Sequence, residues 1–231
     1  EVPETLYGTM HVKPVTEDMF VLRTPVQAGF RGGKALVNII QEDGRSVFTK
    51  HVQRELGLSA EKDGYAEVDT EGYMRMAVFN RYGKDQHSLG LIEGMGSPRG
   101  AMAITYSHDA HNLSVFGSDP RDMAAAANAL IEAGGGMCAA RDGRVTDLIP
   151  LPVAGLLSEE EPEELLPRVE RLLSNCRDMG FEHRDLSSFF TLMALAVSPQ
   201  IKLSDKGLID VAHKSFMPII ENVMEDQTHG A

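Results

Sequence analysis

A chain of 231 residues is long enough to bury a sizeable core, and 42% hydrophobic with 24% charged residues is the composition of an ordinary globular protein. No apolar run approaches the roughly 18 residues of a membrane-crossing helix, and 34 acidic against 22 basic side chains give a net charge of −12 that repels a phosphate backbone. These properties argue against a membrane and against polymeric nucleic acid, leave a neutral nucleobase open, and with only Cys138 and Cys176, each in a core-like pattern, fit a reducing cytoplasm.

The opening Glu1-Val2-Pro3-Glu4-Thr5 has no initiator Met, no basic region and no apolar signal core, and reads as a cut inside a longer polypeptide. Residues 1–18 are polar, carry Pro3 and Pro14, and read as a linker or strap; residues 19–231 read as one domain. Strand-like runs follow at Met19–Arg23, Ala35–Ile40, Val47–Val52, Tyr73–Phe79, Leu89–Ile92, Ala101–Tyr106 and Leu113–Phe116. Turns such as Arg31-Gly32-Gly33 and Glu42-Asp43-Gly44 separate the early ones.

The period then changes. Asp119 is a good N-cap with Pro120 at the first helical position, and Met123, Ala127, Leu130 and Ile131 share one face before Gly134 stops the helix. A hairpin is expected next, Gly136–Ala140 against Arg144–Leu148 around Asp142-Gly143, a pair that tolerates positive φ. Ser158 and Glu161 resemble a capping box for a helix reaching Met179, with Leu165, Val169, Leu172, Leu173 and Cys176 on one side and Pro167 splitting off a short first turn. The remainder, Phe189–Val197 and on through Ile201, Leu208 and Ile219, is apolar and broken by Pro199 and Pro218, and its periodicity does not choose between helix and strand. Strands first, then mixed strand and helix, predict an α+β fold, a mixed sheet covered by helices.

Chemistry concentrates between Arg81 and Ser158. Arg81-Tyr82-Gly83, Gly94-Met95-Gly96 and Gly100-Ala101-Met102-Ala103 lead to Ser107-His108-Asp109-Ala110-His111-Asn112, an imidazole-, carboxylate- and amide-rich connection between two apolar strands. Such groups are costly to leave unpaired, so the connection belongs where solvent, a ligand or a metal can reach it. The other reading is a turn whose side chains cap backbone groups. His108 and His111 alone make a weak metal signal. Arg81 fits either orientation of a ligand or a structural ion pair. Gly134-Gly135-Gly136 follows a helix instead of opening one, so it reads as a C-cap and not a phosphate cradle. Cys138 reads as a core residue, not a nucleophile.

These motifs resemble the C-terminal domain of adenine deaminases, members of the amidohydrolase superfamily. The counterparts are His108-Asp109-Ala110-His111-Asn112, Asp122-Met123, Gly134-Gly135-Gly136, Leu151-Pro152-Val153-Ala154-Gly155-Leu156-Leu157-Ser158 and Pro199-Gln200-Ile201-Lys202-Leu203-Ser204-Asp205-Lys206-Gly207-Leu208-Ile209-Asp210. The resemblance is good over residues 65–215 and loose over the first 60. Ala110 stands where the family has Ser, Tyr82 where His is common, and Asn80 where Glu is usual.

The resemblance implies hydrolysis of adenine to hypoxanthine and ammonia in adenine salvage, by a binuclear Mn2+ or Fe2+ centre in an amidohydrolase barrel. Such a centre needs a His-x-His pair, and none of the eight histidines here forms one. No metal is therefore expected in this chain, and the isolated portion is expected to be inactive. His108 and Asp109 are the candidates for proton transfer, and His111, Asn112 and Arg81 for closing the substrate pocket. The implied partners are adenine, the barrel of the same protein and further copies in a homo-oligomer. The alternative is a stand-alone binding or oligomerisation module without catalytic activity.

Overall fold

The computed structural model describes residues 2–42 and 48–226. The proposed Asp43-Gly44 turn and the start of the predicted strand at Val47 lie outside the described residues. The long strands β2 (Gly33–Gln41) and β3 (Lys50–Leu58) pair antiparallel over their full length. β5 (Met74–Phe79), β6 (His87–Glu93), β7 (Ala101–Ile104) and β8 (Leu113–Gly117) follow, with β9 (Gly136–Arg141), β10 (Arg144–Pro150) and the last strand β14 (Ile220–Glu225). They form one nine-stranded sheet in the order β10-β9-β7-β8-β5-β6-β2-β14, with β3 on the other edge of β2. Only β2 and β6 run parallel, at Ile40–Ile92 and Gln41–Glu93, so the sheet is mixed.

The central strands are apolar on both sides because both faces are covered. Met74, Met76, Val78, Met102, Ile104 and Phe116 point to one layer, while Ala77, Ala101, Ala103, Cys138 and Ala140 point to the other. The small-residue face lets α1 (Pro120–Ala133) approach closely with Met123, Ala126, Ala127 and Leu130. The large-residue face packs against α2 (Pro162–Asp178) and α3 (Leu186–Leu192), and Phe116 meets the rings of Phe189 and Phe190 at 5.5 and 5.1 Å between centroids. Each fully buried side chain of this size contributes about 1.5–3 kcal/mol, so the two layers hold the sheet from either side. The fold is α+β, and among the described residues no helix is long and apolar enough to cross a membrane.

Local signals account for the best-defined elements. Asp119 caps α1 through the main-chain N–H groups of Arg121 and Asp122, Pro120 occupies the first turn, and Gly134 closes the helix at φ 77°. Asp142 and Gly143, at φ 54° and 72°, turn β9 into β10.

Elsewhere the fold departs from the pattern. Met19–Arg23 is not a strand: a 3-10 turn spans Glu17–Phe20, and strand β1 (Arg23–Pro25) pairs with β4 (Tyr65–Glu67). Phe20 is apolar because its ring is buried edge-on against Phe79, not because it alternates along a strand. The Ser158–Glu161 capping box does not form, since Glu161 is the N-cap residue and the Ser158 hydroxyl accepts from Glu160 N–H at 3.0 Å. Pro167 does not split α2. The carbonyl it fails to satisfy, four residues back at Glu163, is exposed and open to water. The ambiguous C-terminal stretch supplies α3, capped by Asp185, and a three-stranded sheet of β11 (Ile201–Ser204), β12 (Gly207–Asp210) and β13 (Ser215–Met217).

Candidate functional site

β7 and β8 pair antiparallel up to Ile104–Ser114, and the residues between them form the imidazole-rich loop. Its base is fixed from inside. Thr105, fully buried, donates through Oγ1 to Gly155 O at 2.6 Å and accepts from Gly136 N–H at 2.7 Å, and the hydroxyls of Ser107 and Ser114 meet at 3.0 Å. His111 N–H donates to Ser107 O at 2.8 Å, which closes the turn, and His108 N–H donates to Thr191 O in α3 at 2.9 Å. His111 adopts φ 50°. The loop therefore has a determined shape even though Asp109 and Ala110 are exposed.

At the surface of this loop three rings gather. Tyr106, exposed, lies parallel to the His111 imidazole at 6.1 Å between centroids and edge-on to His108 at 5.3 Å, and the two imidazoles are 5.3 Å apart. Tyr82 donates its hydroxyl to Ala110 O at 2.5 Å. Both imidazoles are half-buried. Burial first, then the neighbouring His108 and Arg81, hold the His111 imidazole below its ordinary value, against a weaker pull from Asp109. His111 is thus neutral at neutral pH and can both give and accept a hydrogen bond.

Asn112 and Arg81 lie beneath. Asn112 is buried, and its Oδ1 accepts from Arg81 N–H at 3.2 Å. The Arg81 guanidinium is almost wholly buried and donates to Thr9 Oγ1 at 2.6 Å, Ala154 O at 2.7 Å and His111 O at 3.1 Å. Among the described residues no carboxylate lies within ion-pair distance of it, so the ion-pair reading of Arg81 gives way to three neutral acceptors. Burial lowers its pKa, yet a guanidinium stays charged at physiological pH.

The structure thus brings all five candidate residues together at one end of β7, β8 and β5. Asp109 is exposed and His108 and His111 are half-buried, while Asn112 and Arg81 lie buried beneath them. Sequence reasoning did not single out Tyr106, Thr191 or Thr9. Tyr106 adjoins the polar run and could have been found there, whereas Thr191 and Thr9 act through contacts with no local signal. Among the described residues no group of three or more His, Cys, Asp or Glu side chains is arranged to hold a metal ion. Cys138 is buried in the α1 layer, where burial, with Asp147, pushes its thiol up to about 12.

The architecture and loop define an α+β domain that brings two imidazoles within 5.3 Å of each other, with no metal-ligand set among the described residues. Residues 46–215 match the family model described as adenine deaminase C-terminal domain, and the chain belongs to that family. It is 36% identical over 224 residues to an adenine deaminase of Clostridium botulinum (strain Langeland), covering 95% of this chain and 36% of the relative. It is 34% identical over 223 residues to adenine deaminase 2 of Shouchella clausii, covering 96% of this chain and 38% of that protein. An adenine deaminase of Bdellovibrio bacteriovorus is 35% identical over 216 residues, or 93% of this chain and 34% of its own length. The chain therefore spans little more than a third of the length of these curated relatives.

Proposed function

We propose that this chain is the part of an adenine deaminase that closes the purine pocket, while a metal-dependent barrel carried by the remaining polypeptide hydrolyses adenine to hypoxanthine and ammonia. The observation that carries this reading is the imidazole-rich loop, held by the His108 N–H bond to Thr191 O and the His111 N–H bond to Ser107 O, with Asp109 exposed and His108 and His111 half-buried. Its membership of a family named for adenine deaminase, together with relatives nearly three times its length, supports a partner domain beyond these residues.

Two imidazoles and a carboxylate could make a ligand set, but His108, Asp109 and His111 are not grouped as one, and among the described residues no three or more His, Cys, Asp or Glu side chains are arranged to hold a metal ion. Mn2+ or Fe2+ belongs to the barrel in this reading. The chain's own contribution is to exclude water from a small planar substrate, which strengthens every polar interaction around it. His108 and Asp109 are placed to move a proton, neutral His111 to hydrogen-bond a base edge, and buried Asn112 and Arg81 to hold the turn. The protein acts in the cytoplasm in adenine salvage, as a homo-oligomer.

Alanine at His108 and at Asp109 in the full-length enzyme tests the reading. Each should lower kcat/KM by about 100-fold, the smaller end of what a positioned proton-transfer group supplies, and unchanged values in both variants would refute it.

A further inference from the structure

We propose that Arg81 is a positioning residue: its buried guanidinium fastens the His108–Asn112 turn to the strap at Thr9 and to the loop at Ala154–Gly155, and so sets where the two imidazoles stand. Its purpose rests on the pocket-closing reading; its mechanics rest on the geometry alone.

Three segments remote in sequence converge on this one side chain. Thr9 Oγ1, Ala154 O and His111 O accept from it at 2.6, 2.7 and 3.1 Å, and its main chain bonds Asn112 Oδ1 on one side and His11 N–H on the other, the last at 2.9 Å. The bonds leave from two nitrogens, Nη2 to Thr9 and Ala154 and Nη1 to His111, a spread of fixed donors that the single Nζ of a lysine on its flexible stem does not reproduce. The space is made to measure, since a Cβ on Gly155 would sit 2.5 Å from Arg81 Nη2.

The acceptors are also neutral. A buried cation whose charge is met by carbonyl and hydroxyl dipoles, and by the Tyr82 ring 5.9 Å from Cζ, needs each of them more than it would beside a carboxylate. Loosening any one segment therefore loosens the turn. The same charge stands against protonation of His111, whose other charged or titratable neighbours are His108 and Asp109, with Tyr106 across its ring.

Amide hydrogen exchange and imidazole NMR on this chain test the assignment. Thr9→Val removes one acceptor and leaves the guanidinium; Arg81→Lys keeps the charge without the fork; Arg81→Met removes the charge. Thr9→Val and Arg81→Lys should each lower protection of the His108 and His111 amides about tenfold relative to amides of β7 and β8, the order expected for losing one charge-assisted bond. In Arg81→Met the His111 titration should move up only by the guanidinium's share, because burial and His108 still hold it down. Loop protection that is unchanged, or that falls only in step with the sheet, overturns the assignment. Should the Arg81 variants fail to fold, Thr9→Val alone decides. Unchanged kcat/KM in the His108 and Asp109 variants would remove the pocket-closing reading while leaving these exchange results intact.

Discussion

Substituting Gly155 by alanine should be among the more damaging single-methyl changes in the chain. Gly155 has φ +68°, and its added Cβ would lie 2.5 Å from Nη2, 2.9 Å from Nη1 and 3.0 Å from Cζ of Arg81. Holding an alanine in the left-handed region costs about 1–2 kcal/mol. The guanidinium is not a free end that swings away, because it is bonded to Thr9, Ala154 and His111. Giving up one such charge-assisted bond adds about 1.5–3 kcal/mol. The sum is about 2.5–5 kcal/mol, or a fall in Tm of roughly 5–20 °C for a domain of this size. Gly134 is the internal control, with a similar φ of +77° and nothing within 4 Å of its would-be Cβ. Gly134→Ala should show the backbone cost alone, about 1–2 kcal/mol. Urea unfolding followed by circular dichroism, with the slope checked for constancy, gives both values. If the two variants differ by less than about 1 kcal/mol, Arg81 is not held as described and the reasoning fails.

Two further outcomes follow from the titrating groups. Burial lowers His87, with Asp85 opposing, and burial together with His108 and Arg81 lowers His111. The unfolded chain therefore takes up protons as pH falls through about 6.5 while the folded chain resists, so these groups favour folding fully above that pH and progressively less below it. The urea midpoint should drop between about pH 7.5 and about pH 5.5, less so in a His87→Gln/His111→Gln double variant; an equal drop in both proteins would contradict this. Cys138 and Cys176 are each pushed up to about 12, chiefly by burial and then by Asp147. A disulfide reagent at about pH 8 should label them only as fast as the chain unfolds, with urea accelerating it; prompt labelling of the folded chain would contradict the packing.

What could be read from the residues was what short-range chemistry decides. Asp119, Pro120 and Gly134 specify α1 within a single segment, and Asp142-Gly143 specifies its hairpin, so both elements lie where the pattern put them. Met19–Arg23 misled because Phe20 is apolar for a contact with Phe79, a long-range cause that mimics strand alternation. The C-terminal strands were obscured because β14 is half-exposed and pairs with residues near the start of the chain, Gly33–Val37. The candidate loop was legible as a run of imidazole, carboxylate and amide between apolar strands. Its support was not, because Thr191 O, Ala154 O and Thr9 Oγ1 are acceptors delivered by folding from distant segments. Gly155 stood in a recognisable motif, but only the neighbouring guanidinium explains why a side chain is excluded there.

Ammonia release from adenine, measured on this chain alone with Mn2+ or Fe2+ supplied and beside a full-length relative under the same conditions, tests the division of labour most directly. Turnover is expected from the full-length protein and none above the uncatalysed background from this chain. Sustained deamination by these 231 residues unaided would mean that the hydrolytic machinery lies within them, and would contradict it.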